Sequence, residues 1–344
     1  MSTGTLLAVK PLTSAPSYSF YLGPTDHDLI RLCAQHSDAL TIRGASGPQH
    51  IAQLRAGGLD VPVLFDREAW RAKPGATVAP GPWIDAQATA GADRLLTPGR
   101  YVPWSSDAPT EQLKRVALEL ALARRWEAVP LLAVDARWLG RDAVGLADAL
   151  KAGGGPVALV LVEGGDPLAL SGAVQGLRYV AATVPGLMIL RSDHGALGAV
   201  AFGARHAALG LRPGDRHGTT PDRRGFGKQG DRTARVFVYA FADWFTAATI
   251  AGWALADPGW ARCGLECCRG QDLSRFLDED YADEVRLHNV LSLRQLADLV
   301  LDADGNERRT EFLGFCQQAA DRYGRSGFRG PQDPKAQLTG WVLS

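Results

Sequence analysis

PLLAVDARWLGRDAVGLADALKAGGGPVALVLVEGG, residues 130–165, decides the fold. Its two ends, PLLAVDA (130–136) and ALVLVEGG (158–165), are short runs that are apolar at successive positions, so neither face of either run is suited to water. Such runs belong in a sheet covered on both sides, and the helical stretch between them is long enough to cross over to a parallel neighbour. The same order, apolar run, polar or glycine-containing loop, helical stretch, repeats up to about residue 215. The other strand-like runs are SYSFYLG (17–23), ALTIRG (39–44), PVLFDR (62–67), RLLTPGRY (94–101), LMILRSD (187–193) and AALGLRPG (207–214). Between them DHDLIRLCAQHS, PQHIAQLRAGG, TEQLKRVALELALARRWEA and LSGAVQGLRYVAATV repeat apolar residues at three- and four-residue spacing. Eight units predict closure into a (β/α)8 TIM barrel, with an open doubly wound sheet as the alternative. RLLTPGRY carries Pro98 and Gly99 and is expected to be the weakest strand.

Composition supports a large packed core and little else. The chain has 344 residues, 46% of them apolar, and 37 basic residues against 37 acidic ones, so net charge provides no general attraction to nucleic acid. The opening MSTGTLLAVKPLTSAP lacks the basic patch and apolar run of an export signal. No uninterrupted apolar run reaches the roughly 20 residues that cross a bilayer. A cytoplasmic protein without membrane contact is the expectation, and there clustered thiols point to metal or catalysis.

A barrel gathers its functional groups at the carboxyl ends of its strands. Those ends here carry Arg43, Asp66, Arg67, Asp135, Glu163, Arg191, Asp193, His194 and Arg212. Asp107 and Asp166 precede helical patterns and read as caps. DRHGTTPDRRGFGKQGDRTAR (215–235) is either a solvated loop or a phosphate grip at the mouth, through Arg216, Arg223, Arg224, Lys228, Arg232 and Arg235. GALGAVAFGAR (195–205) reads as a tightly packed helix or as a helix start that admits a phosphate. VFVYAFADWFTAATIAGWALAD (236–257) reads as a strand leading into a helix, its aromatic residues in the core. The domain expectation is a barrel over 1–257 and a metal-binding subdomain with C-terminal helices over 258–344.

ARCGLECCRGQDLSRFLDEDYADEVRLHNV (261–290) holds three of the five cysteines within six positions and one histidine twenty residues later. Cys263, Cys267, Cys268 and His288 supply four ligands, the number a closed tetrahedral zinc site requires. Gly264 and Gly270 allow a tight turn around the thiols, and QDLSRFLDEDYADEVRLHNV reads as a helix that returns His288 to them. Two readings compete. Adjacent Cys267 and Cys268 point apart, so one can be a spectator in the core and leave a ligand missing. The thiols can also be buried and free; redox chemistry would favour a C-x-x-C spacing, which is absent. Cys33 and Cys316 lie inside helical patterns and read as core.

This C-terminal layout, roughly residues 236–302, resembles that of the queuine and archaeosine tRNA-guanine transglycosylases. Those enzymes are (β/α)8 barrels with a zinc segment C-x-C-x-x-C followed by a His-Asn pair in a helix. Cys263 and Cys268 match the outer cysteines, and His288-Asn289 match the His-Asn pair; the middle cysteine falls at Leu265, so Cys267 would substitute. Asp66 in LFDREAW stands nearest the family's D-S-G-G, without its glycines, and Glu163-Gly164-Gly165 echoes its Q-G-G. The nucleophilic aspartate is expected near Leu209 or Gly210, where this chain has none. The resemblance therefore implies a divergent member exchanging or recognising guanine or 7-deazaguanine in tRNA or DNA, with Asp66 and Asp193 as catalytic carboxylates across the mouth. Asp135, Glu163, Gly164, Gly165, Arg191, Arg212 and Arg216 would bind substrate. Structural zinc, a tRNA or DNA partner and room for a homodimer through the zinc segment complete the expectation. The alternatives are an inactive nucleic-acid- or partner-binding paralogue, or an unrelated barrel enzyme on a small phosphorylated substrate.

Overall fold

A computed structural model describes residues 15–72, 78–221, 234–326 and 333–343. Eight parallel strands form one sheet in the order β3-β2-β1-β8-β7-β6-β5-β4. They are β1 (Ser17–Leu22), β2 (Ala39–Arg43), β3 (Val63–Asp66), β4 (Arg100–Val102), β5 (Leu131–Asp135), β6 (Val157–Val162), β7 (Leu187–Ser192) and β8 (His206–Gly210). The pairing of β1 with β8 joins the two ends of the chain order, as in a (β/α)8 barrel.

Alternation along the strands sorts the core in two. Tyr21, Leu64, Leu131, Ala133, Ala158, Val160, Val162, Met188, Leu190 and Ala208 pack together inside the barrel. Their neighbours Phe20, Leu22, Ile42, Phe65, Leu132, Val134, Leu159, Leu161 and Ile189 pack outward against the helices. Both sets are buried, which is why the strands read as unbroken apolar runs.

The seam lies at the strand expected to be weakest. Leu96 makes an isolated parallel bridge to Val129, and regular pairing resumes only at Arg100–Val102 against β5. Between them Pro98 has no N–H and Gly99 takes a left-handed φ of 91°. Closure toward β3 is made by single bonds: Asp93 N donates to Val63 O at 3.0 Å, the Asp93 carboxylate accepts from Val63 N, and Ala69 N donates to Pro98 O at 3.3 Å.

Helix α1 (His27–Ala34) follows β1, and α2 (Gly47–Ala56) and α3 (Pro80–Thr89) follow β2 and β3. Next come α4 (Pro109–Arg125), α5 (Arg137–Arg141), α6 (Ala143–Lys151), α7 (Ala173–Thr183) and α8 (Gly195–Ala201). All seven residues of α8 are buried, and a Cβ on Gly198 would lie 2.6 Å from the Trp341 ring, so the 195–205 segment is the tightly packed helix. After the barrel, β9 (Arg235–Val238) and β10 (Asp243–Thr246) form an antiparallel hairpin leading into α9 (Ala247–Ala256). Phe237, Phe241, Trp244 and Trp253 from this stretch are buried, as aromatic core residues should be.

Residues 271–290 depart from the continuous helix expected of them. Two 3-10 turns, Leu273–Leu277 and Glu279–Tyr281, come first, and α10 (Ala282–Leu301) starts only after them. Asp272 and Asp278 are the cause: each side chain accepts from the backbone N–H two residues on, at 2.7 and 3.0 Å, which competes with helical bonding. Helices α11 (Gly305–Ser326) and α12 (Ala336–Val342) complete the chain. Among the described residues no helix is long and apolar enough to cross a membrane.

Candidate active site and metal centre

The inward residues at the carboxyl ends of β1, β2, β3 and β7 form one charged network. Tyr21 Oη donates to Asp66 Oδ2 at 2.6 Å, and Glu68 N donates to Asp66 Oδ1 at 2.7 Å. Asp66 is fully buried; burial first, then the charge of Glu68, pushes its carboxyl above the ordinary range. Burial also raises Glu68, but Arg191, Arg71 and Arg43 outweigh it and hold that carboxylate low. Glu68 pairs with Arg191, and with Arg43 at 3.5 Å. Arg43 Nε in turn lies 2.7 Å from Asp215 Oδ1. The mouth thus holds a carboxyl raised by burial, Asp66, accepting from the backbone N–H of one held low by arginines, Glu68. Environments that push two carboxyls apart are how one site supplies both an acid and a base.

Two residues here hold uncommon backbone. Glu68 has φ 58° and Arg191 φ 53°, both left-handed and neither glycine, each at a cost of about 1–3 kcal/mol. At Arg191 the β7–β8 register shifts, a bulge that turns the side chain toward the mouth. Its guanidinium is spent on protein: on Glu68, on His217 O at 3.0 Å and on Gly214 O at 2.5 Å.

A second group lies on the β4–β6 side. Asp135 accepts from Tyr101 Oη at 3.2 Å and is clasped by Arg137 through Nε at 2.9 Å and Nη2 at 2.5 Å. Burial would raise Asp135, but the bonds from Arg137 hold it low. Glu163 follows β6 half-buried, its carboxylate accepting from Gly164 N at 2.7 Å, while Gly164 and Gly165 are exposed.

Asp193 belongs to a third group and shares no partner with Asp66. Its Oδ1 accepts from Gly195 N at 2.9 Å and from Gln337 Nε2 at 3.0 Å. Burial and the nearby Asp193 charge push Asp166 up to about 7. Asp166 also fulfils the expected capping role, accepting from Leu168 N at 2.9 Å. Arg212 pairs with Asp26 at the rim, and buried Arg216 stacks on the Trp244 ring at 3.4 Å, where burial brings it down to about 9. Arg223, Arg224, Lys228 and Arg232 of the basic loop lie outside the described residues.

Several groups escaped the sequence. Tyr21 hides in an apolar run, Glu68 lies two residues past a strand end, and Asp215 reads as a loop countercharge. Asp215 is nevertheless 2% exposed, because the chain folds back after β8 until its backbone meets Gly210. A carboxylate therefore does stand at the β8 end, contributed by a residue five positions later.

The cysteine segment is the other assembled centre. Cys263, Cys268 and His288 are buried with ligand atoms all within 4.8 Å of one another, a group that can hold a metal ion. Cys267 Sγ lies 3.7 Å from Cys268 Sγ and 3.7 Å from His288 Nδ1; Cys263 and Cys268 Sγ lie 3.9 and 3.2 Å from that nitrogen. Ligands about 2.0–2.3 Å from a tetrahedral ion stand roughly 3.3–3.8 Å apart, so the spacing fits. The adjacent thiols of Cys267 and Cys268 stand 3.7 Å apart, and the chain turns directly after them through Arg269 and Gly270, both at positive φ. Bonds from the Cys263 and Cys267 thiols, then His288 and Arg275, hold the Cys268 thiol far below its usual range, while the bonds they make to Cys268, then burial, push the other two up. His288 Nε2 bonds Phe237 O at 2.9 Å, which fixes the ring and leaves Nδ1 for the ion.

No family model matches the chain, and no curated protein does. Solved structures similar to it include an archaeal fructose 1,6-bisphosphate aldolase, 14% identical over 57% of this chain and 86% of that one, TM-score 0.34. A 3-keto-L-gulonate-6-phosphate decarboxylase from Vibrio cholerae is 15% identical over 57% and 88%, TM-score 0.36. A 3-hexulose-6-phosphate synthase is 16% identical over 56% and 89%, TM-score 0.35. Similarity this low says nothing of activity, and the barrel rests on its own strand pairing.

Proposed function

We propose that this protein is a barrel enzyme that works on a glycosidic bond with the carboxyl groups at its mouth, braced by a structural zinc ion, as a divergent relative of the guanine transglycosylases. The observation that carries the reading is the buried Cys263-Cys268-His288 cluster beside the barrel, with Cys267 Sγ 3.7 Å from two of its ligand atoms and the His-Asn pair where the resemblance has it. With Cys267 drawn in as the fourth ligand, three thiolates and an imidazole would suit zinc and leave no open position, so its part would be structural. Asp66 handles the proton at the leaving base. The carboxylate that attacks the sugar is Asp215, which supplies the β8 position in place of Asp193. Asp135 and Glu163 accept from the base edge. A flipped nucleotide would reach them from the polymer.

Incubation with labelled guanine and either tRNA or DNA tests this. The account expects label in one polymer, and a loss of about 10²–10⁴-fold for Asp66→Asn, the usual worth of a positioned proton donor. No incorporation by folded, zinc-loaded protein would contradict base exchange. The second reading, a small sugar or phosphorylated substrate at the same carboxyls, is favoured by the chain segment after β8, which narrows the mouth. Turnover of small substrates that is equally sensitive to Asp66→Asn would establish it.

A further inference from the structure

The segment after β8 does not lie over the barrel as an ordinary loop. Gly218 pairs with Val162 as if it were a further strand residue: Gly218 N donates to Leu161 O at 2.9 Å, and Glu163 N donates to Gly218 O at 3.0 Å. A Cβ on Gly218 would stand 2.8 Å from Val162 Cγ2 and 3.0 Å from Val160 Cγ1, two side chains of the barrel interior. Position 218 is thus seated inside the barrel wall. At the other end of the segment, a Cβ on Gly210 would run into the backbone of Asp215. Arg191 holds the middle through Gly214 O and His217 O, and Arg43 holds Asp215. Both glycines are required by close approach rather than by a turn.

We propose that residues 213–218 are a plug, seated on β6 and braced by Arg191, which closes the β6–β8 side of the mouth and so limits which substrates reach the carboxyl groups there. Three features make it a plug. It is pinned at carbonyls by one side chain, it borrows its sheet bonds from β6 beyond the barrel's own ladder, and its brace is held in strained backbone by Glu68. At the mouth Asp66 and Asp135 are themselves buried and engaged, Asp66 by Tyr21 and the Glu68 amide and Asp135 by Tyr101 and Arg137, while Arg43 and Arg191 are each engaged by a carboxylate. Arg191 acts here as a positioning residue, through the plug and Asp215, and makes no contact with substrate. The inference rests on the geometry of the segment and stands whether or not base exchange is the reaction.

Two cysteine reporters test it without any substrate. Val162→Cys lies beneath the plug and Tyr101→Cys, half-buried on β4, away from it; each is treated with a small methanethiosulfonate reagent and its peptide followed by mass spectrometry. Val162→Cys is expected to react at least about tenfold more slowly, since it must wait for local opening. Arg191→Ala added to Val162→Cys should remove most of that difference and speed deuterium exchange at the Gly218 and Glu163 amides. Arg191→Lys, which cannot bridge both carbonyls, should fall between. If Arg191→Ala does not fold, Gly218→Val, whose branched side chain meets Val160, provides the displaced state. Equal reactivity of the two reporters in the parent protein would overturn the plug. So would an unchanged ratio in a folded Arg191→Ala or Gly218→Val variant.

Discussion

His206 shows how far a single residue can be from its ordinary chemistry. Its ring is buried inside the barrel, bonded to Ser17 Oγ at 2.9 Å and to Ser19 Oγ at 2.9 Å, with Ser19 passing the network to Thr41 at 2.7 Å. Burial brings its pKa down to about 3. The folded ring is therefore neutral where the unfolded one is charged, so its stabilisation is complete above the unfolded value near 6.5 and is lost as pH falls from there toward 3. Asp166, raised to about 7, acts in the opposite sense: it adds stability on the acid side that disappears as pH rises through 7. Other groups that burial shifts, His194 and His217 among them, add to the wild-type profile, so the comparison with His206→Asn isolates the histidine. Urea titrations at pH 7 and pH 5 should show the wild type losing up to about 1.4 kcal/mol per pH unit relative to the variant. Parallel profiles would mean that His206 titrates normally. Nothing in HAALG marks this residue as neutral core, because the hydroxyls that satisfy it lie about 190 residues away on β1.

At the scale of elements, the cysteine–histidine cluster is tied to the hairpin by two adjacent side chains of α10. His288 bonds Phe237 O; Asn289 Oδ1 accepts from Phe237 N at 2.8 Å and Asn289 Nδ2 donates to Arg235 O at 2.8 Å. The pair serves β9 as a neighbouring strand would, satisfying edge groups that β10 leaves free. Asn289→Leu should cost about 1–3 kcal/mol in urea unfolding, the usual penalty for leaving a buried N–H unpaired. A neutral result would show that water replaces the amide. The His-Asn pair was legible as a motif, but its second member's purpose was not, since nothing local says that Asn289 faces β9. The turns before α10 were misread for a related reason. Apolar spacing favours a helix there, and only the side-chain-to-backbone bonds of Asp272 and Asp278 reverse that preference. Strand 4 was readable because Pro98 and Gly99 act on their own backbone. Asp215 was not, because its place depends on a fold-back that passes two glycines with no signal in their neighbours.

For the whole molecule, the barrel was readable in the repeated unit because both sides of its sheet are covered, which forces apolar residues at every strand position. The mouth was readable only as a set of strand ends. Its pairings, Glu68 with Arg191 and Arg43 with Asp215, cross from one βα unit to another and leave no periodicity in the chain. The cysteine segment is different, since its ligands lie within a short stretch and their types announce the chemistry. Core packing runs without a break from the barrel helices into this segment, where Cys263, Cys268, Leu273 and Phe276 join the same buried cluster as Phe237 and Phe241. Loss of the ion should therefore loosen the hairpin along with the segment, and metal binding of this kind contributes directly to folding free energy. The most direct test is elemental analysis of the purified protein together with zinc-edge X-ray absorption. The account predicts one zinc per chain, bound by three sulfurs at about 2.3 Å and one nitrogen at about 2.0 Å. A folded protein without zinc, or with zinc bound by oxygen and nitrogen alone, would contradict it.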